Sequence, residues 1–376
     1  MKVLTESAPY VITLTVVIVT ASWWAKRQNI QTRRRLYQEW IRRARDERDA
    51  KEHKVLDNQD DDDVQKEEAA ANRTAFETRT LVARSRLDPA KNVAVLAARC
   101  RKYARGDGEN EAAGTNAITE EFYDEAFQAA ESLKKAGKPN EIPPLYGVPI
   151  YVKECLAIKG SYSTGGMACR LQSRVEKDSL IVQVLRSAGA LPLCSGNVVQ
   201  ALFLPESVNN IWGRSLNPWD LKRTPGGSSG GDAALVAMGC VPLAACSDVA
   251  GSIRIPASFC GIVGFKPTSS RMSGKGNMIP RKNNKSGTAI LIPTVIGPIA
   301  HTVEDCALFM KATQVPQLWE GDLNIPRIPF NDEVYQRPGE KLKIGYFDTD
   351  AWFEPCATSK RAVQETVDAL TKAGHT

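Results

Sequence analysis

Residues 178–194, DSLIVQVLRSAGALPLC, and residues 231–247, GDAALVAMGCVPLAACS, share one plan. Each opens as an apolar helix, stops at a glycine (Gly189, Gly239) and runs at once into a short apolar strand. Upstream, PPLYGVPIYVKECLAIKG, residues 143–160, holds another apolar run of strand type bounded by Pro and Gly. Helices alternating with short apolar strands predict an α/β domain: a mixed, largely parallel sheet, buried and covered by helices.

Toward the N-terminus the texture changes. LDPAKNVAVLAARCRKYARG, residues 87–106, has helical periodicity, with Asp88 as the expected N-cap and Pro89 at the first helical position. Residues 27–85 are dense in charge. RRRLYQEWIRRARDERDAKEHK, residues 33–54, reads equally as a basic helix lying on an anionic membrane or as a solvated spacer. Asp60 to Asp63 form a short acidic run. Ahead of these lies the uncharged run APYVITLTVVIVTASWWA, residues 8–25, near the short end of what spans a bilayer. Trp23 and Trp24 close it and Lys26, Arg27 and Arg33 to Arg35 follow, so the chain beyond is expected on the cytosolic side of a membrane. A cleaved leader is disfavoured by the weak basic start and by tryptophans where small residues are expected. The expected organisation is an N-terminal transmembrane anchor (1–26), a charged helical juxtamembrane region (27–85) and a catalytic domain (86–376).

Bulk composition excludes several classes. A net charge of +6 over 376 residues, much of it in the arginine-rich stretch, gives no case for nucleic acid. The nine cysteines form no C-x-x-C pair, which reads as free, mostly buried thiols in a reducing compartment and predicts no metal site. Only His53, His301 and His375 are available as histidine bases.

Three features carry potential chemistry. Lys153 ends the apolar run YGVPIYV. Alone it reads as a solvent-facing strand end paired with Glu154; the alternative is a desolvated lysine, whose neutral amine would be a base. TPGGSSGGDAAL, residues 224–235, opens directly into a helix, which suits a flexible linker poorly and leaves amides open around Ser228 and Ser229. In SDVAGSIRIPASFCG, residues 247–261, Ser252 follows the small residues Ala250 and Gly251, whose amides suit an oxyanion hole. With histidine scarce, a lysine base for a serine nucleophile is the economical arrangement.

Together these segments resemble the amidase signature family. LYGVPIYVKECLAIKG is similar to its lysine strand, SLNPWDLKRTPGGSSGGDAALVAMG to its Gly/Ser signature, and SDVAGSIRIPASFCGIVGFKPT to its nucleophile loop. The resemblance implies a catalytic set of Lys153, Ser228 and Ser252, with a cis peptide before Ser228. It places substrate contacts on Val249, Ala250, Gly251, Ser252 and Ser228, and implies no cofactor and no metal. Asp248 and Arg254 are implied as loop supports, and Glu154 as non-catalytic. Ala250 stands where the family usually has glycine, and a methyl group there is expected to resist positive φ. The hydrophobic N-terminus, YGVPIYVKE and KIGYFDTD (343–350) resemble the membrane-anchored fatty acid amide hydrolase branch.

That branch implies an amidase signature fold with an N-terminal transmembrane helix, and a membrane-bound hydrolase of fatty acid amides such as N-acylethanolamines, and of esters. Its implied partners are the lipid-soluble substrate, membrane lipids and a second copy of the chain in a homodimer, with no nucleic acid; the endoplasmic reticulum or another endomembrane is the expected location. The chain stops at KAGHT inside a helical pattern, so the catalytic domain is expected to be truncated, its fold incomplete at the C-terminus. Two alternatives stay open: an amidase acting on a small amide, and a catalytically silent membrane protein.

Overall fold

The computed structural model describes residues 31–51, 73–84, 86–105, 114–278, 293–336, 339–350 and 352–376, with the single positions 28 and 54. They divide into two compact units, the first ending at Pro329 and the second beginning at Phe330. Among the described residues no helix is long and apolar enough to cross a membrane. The run 8–25, where such a helix is expected, lies outside them, as does the acidic run at 60–63.

The first unit opens with helix α1 (31–49) and α2 (Ala75–Ala83). Thr74 and Glu77 close α2 with a reciprocal capping box, which satisfies two amides that a helix start leaves open. In α3 (Pro89–Arg105), Asp88 caps as the sequence predicts, its Oδ1 accepting from the amides of Ala90 and Lys91 at 2.9 and 3.3 Å. Next come β1 (Ile118–Glu121), α4 (Tyr123–Ala136), β2 (Val148–Lys153), α5 (Leu180–Ser187), β3 (Ala190–Gly196), and the two-residue strands β4 (Val208–Asn209) and β5 (Gly213–Arg214). The unit continues through α6 (Gly230–Ala237), β6 (Leu243–Asp248), α7 (Arg254–Cys260), β7 (Val263–Gly264), β8 (Val295–Ala300), α8 (Val303–Thr313) and α9 (Pro316–Gly321).

Six strands form one sheet in the order β1-β3-β2-β6-β8-β7. Its centre, β3-β2-β6, is parallel, while β1, β8 and β7 join antiparallel. The expectation of a largely parallel sheet is therefore corrected: the parallel part is the three strands read from apolar runs, and the flanks are antiparallel. Strands β2, β3, β6 and β8 are buried along their whole length, which is why they read as continuous apolar runs without alternation. Every residue of α6 is buried too, its small Ala233 and Ala234 letting it sit close against the sheet.

One face of α1, within the 33–54 stretch, is packed against the rest of the first unit. Its Ile41 and Ala44 are buried among Tyr162, Leu171, Ile211 and Trp212. Polar contacts fasten the same face: Tyr162 Oη donates to Glu47 Oε2 at 2.7 Å, and Arg174 bridges Glu47 at 2.7 Å and Glu120 at 3.1 Å. Arg33 to Arg35, Arg42 and Arg43 stay exposed.

The second unit holds α10 (Asp332–Gln336) and α11 (Ala357–Lys372), the latter without a buried residue. Residues 343–350 form no strand there; Ile344 instead donates to the Thr376 carbonyl, and Thr376 donates back to Leu342.

Candidate active site

The parallel pair β2 and β6 ends on one side of the sheet in Lys153 and Asp248, where α/β folds place their sites. Lys153 is fully buried, which excludes the solvent-facing strand end. Its Nζ donates to Ser228 Oγ at 2.7 Å and to the Ser247 carbonyl at 3.1 Å. One lysine thus ties the Gly/Ser loop to the end of β6, across a sequence separation that spacing alone would not bring together.

Ser228 is also buried, and the Gly227–Ser228 peptide is cis. Gly227 is required by close approach: a Cβ there would fall 1.8 Å from the Glu206 carbonyl oxygen. Ser207 braces the same loop, accepting from the Gly230 amide at 2.9 Å and donating to the Gly226 carbonyl at 3.0 Å.

The loop from β6 into α7 is organised by Asp248. Its Oδ1 accepts from the Gly251 amide at 2.8 Å and its Oδ2 from Ile253 at 3.0 Å, while Arg254 Nε and Nη2 reach the two oxygens at 3.1 and 3.0 Å. Burial pushes this carboxyl up, but Arg254 and the two amides outweigh it and hold it at about 2. The expected role of Asp248 and Arg254 as loop supports is what their geometry performs.

Ser252 lies inside this pinned loop, partly buried. Val249 and Ala250 are exposed at its mouth. Ala250 does not adopt positive φ, so its methyl group is accommodated without the strain expected of it. The Gly251 amide is already engaged by Asp248 Oδ1 at 2.8 Å.

His301 is no competitor as a base. It contacts the Val236 carbonyl near the end of α6, whereas Ser228 precedes the start of that helix. Burial lowers its pKa.

Sequence reading missed several supports. Glu154, buried beside Lys153, faces away from the serines: its carboxylate accepts from the Thr164 amide and hydroxyl and, at 2.7 Å, from the Gly165 amide, fixing the loop there. Ser207 had no signal in its local sequence. Asp232 did: it is the one acidic residue in the apolar helix α6, and it is fully buried.

The amidase family model matches residues 106–376. The vitamin D3 hydroxylase-associated protein of Gallus gallus is 43% identical over 246 residues, 65% of this chain and 52% of the relative. The fatty-acid amide hydrolase 1 of Sus scrofa is 41% identical over 234 residues, 62% of this chain and 39% of the relative. A solved structure of a fatty acid amide hydrolase superposes with a TM-score of 0.73 at 25% identity, covering 90% of this chain and 61% of that one. The chain therefore spans about half the length of the curated relatives it matches.

Proposed function

Because this chain belongs to the amidase signature family, we propose that it is a membrane-bound serine hydrolase that cleaves the amide bond of fatty acid amides such as N-acylethanolamines, and related esters. The observation that carries the reading is the buried 2.7 Å contact between Lys153 Nζ and Ser228 Oγ. A lysine sealed beside a serine in a dry site, at the end of a strand neighbouring a pinned serine loop, is an arrangement for moving a proton.

In this reading the Lys153 amine takes the Ser228 proton as Ser228 takes that of Ser252. Ser252 Oγ then bonds to the acyl carbon, and the carbonyl oxygen becomes an oxyanion. The amides of Val249, Ala250 and Ser252 stabilise that oxyanion, each worth roughly 3 kcal/mol in such sites. Collapse breaks the C–N bond, and Ser228 returns the proton to the leaving amine. Water then attacks the acyl-Ser252 ester by the same relay and releases the fatty acid. The Ser247 carbonyl, accepting from Lys153 at 3.1 Å, orients the amine toward Ser228.

The lipid substrate and the membrane placement are supported by the apolar run 8–25 with its basic flank, and by relatives that bear the name fatty-acid amide hydrolase. Membrane lipids and a second copy of the chain are the proposed partners, with the catalytic unit on the cytosolic side of an endomembrane. The test compares hydrolysis of a long-chain N-acylethanolamine with that of a short-chain amide by the detergent-extracted protein. Preference for the long chain is expected; turnover of the short amide alone would replace this reading with a small-amide amidase.

A further inference from the structure

Two buried residues in succession, Lys153 at the end of β2 and Glu154 just beyond it, carry their side chains to different partners. Lys153 reaches Ser228. Glu154 Oε1 accepts from the amide and the hydroxyl of Thr164, and its Oε2 from the Gly165 amide at 2.7 Å. Thr164 Oγ1 in turn accepts from the Gly166 amide at 3.0 Å. The turn held in this way is one that the backbone disfavours: φ is +49° at Ser163, +59° at Gly165 and +71° at Gly166, and a residue with a side chain such as Ser163 rarely adopts that region.

That turn seats a second strained segment. The Gly165 carbonyl accepts from the Ala201 amide at 2.8 Å, and a Cβ on Gly166 would fall 3.0 Å from Gln200 Cα. Ala201 and Leu202 both take left-handed backbone, φ +60° and +62°, with no glycine to ease either. Adjoining residues persist there only where their surroundings over-determine them, and the 163–166 turn is what the Ala201 amide is bonded to. The same segment then reaches the turn that carries Ser228. The Glu206 carbonyl closes on Gly227, and the Ser207 hydroxyl accepts from the Gly230 amide at 2.9 Å while donating to the Gly226 carbonyl at 3.0 Å.

Ser228 is therefore held from two directions. Lys153 meets its hydroxyl directly, and Glu154 braces its backbone through the 163–166 turn and the 200–207 segment. We propose that Glu154 is a positioning residue for Ser228: it keeps the 226–230 turn placed so that the Ser228 hydroxyl can return its proton to the leaving amine. The inference rests on the reading of Ser228 as that proton donor, and it carries a selective consequence. An amine leaves the tetrahedral intermediate only once it is protonated, whereas the alkoxide of an ester leaves with much less help. A displaced Ser228 thus slows amide cleavage more than ester cleavage, while partial unfolding slows both alike.

The test measures kcat/KM of the full, detergent-extracted chain on an N-acylethanolamine and on the methyl ester of the same fatty acid. In Glu154→Gln an NH2 group replaces one oxygen and meets an N–H donor instead of accepting from it. The amide-to-ester ratio should fall about ten-fold. Thr164→Val keeps the side-chain shape and removes the hydroxyl from Glu154, so it should lower the ratio in the same direction even where Glu154→Gln does not fold; Thr164→Ser should restore it. Equal losses on both substrates, or an unchanged ratio in folded Thr164→Val, overturn the positioning role. Hydrogen exchange supplies a readout that needs no activity. The peptide spanning 226–230 should exchange faster in Thr164→Val than in the parent, with β3 unchanged. Unchanged exchange at 226–230 overturns the proposal, whereas a parent that cleaves neither substrate counts against the proposed function.

Discussion

The Lys153 amine nitrogen lies 2.7 Å from the Ser228 hydroxyl oxygen, and both side chains are closed off from solvent. Burial sets the strength of that contact: a surface pair would be a weak, screened interaction, whereas a dry one is stronger, and in the proposed function it carries the lysine's proton chemistry through the serine. Lys153→Met keeps the volume and removes the base. It should lower kcat/KM by roughly 10²–10⁴-fold and change the pH profile. An unchanged profile would take the lysine out of the mechanism.

Ser228→Ala should cost about as much as Lys153→Met, since either change interrupts one relay. The double variant should then be no slower than the worse single one, because residues acting as a unit are strongly non-additive. Rate losses that multiply would mean that the two residues act separately.

Asp248→Asn tests the loop. The native carboxyl is held at about 2 instead of 3.8, so its contribution is present above pH 3.8 and is lost as pH falls through 2. That shift corresponds to about 2 kcal/mol. The variant should be less stable by about this amount near neutral pH, should lose stability less steeply between pH 4 and 2, and should label slowly because Ser252 is no longer pinned. Denaturant titration across that window reads the first two effects.

Glu120 has the opposite sign. Burial raises it from 4.5 to about 7, despite the Tyr162 amide and Arg174. Its stabilising form is the protonated one, fully present below pH 4.5 and lost as pH rises through 7. The loss amounts to at most about 3 kcal/mol. Glu120→Gln should flatten stability between pH 4.5 and 7, and should do so with α1 still docked, since a glutamine oxygen can still accept from Tyr162. Thermal unfolding at several pH values would show a persistent slope if this account of Glu120 is wrong.

What was legible in the chain follows from burial. Strands β2, β3 and β6 are covered on both faces and therefore read as plain apolar runs, and the glycines at 189 and 239 mark where their preceding helices stop. Strand β1 was hidden because two of its four residues are glutamates, which tertiary contacts bury: Glu120 with Arg174, Glu121 with Arg105. Strand β8 contains Gly297 and Pro298, which weaken a strand pattern, yet it pairs with the full length of β6. Lys153 was visible as a lysine closing an apolar strand, and Ser228 and Ser252 as serines in unusual loops. Their supports were not, because Ser207 and the Ser247 carbonyl act through backbone approaches that no local pattern encodes.

The central claim is that Ser252 is a nucleophile activated through Ser228 and Lys153. Labelling with a fluorophosphonate probe tests it most directly, applied to the folded, detergent-extracted chain beside Ser252→Ala. The account predicts covalent labelling of the parent on a peptide containing Ser252, and none of the variant. Equal labelling of both, or of neither while both are folded, would contradict it.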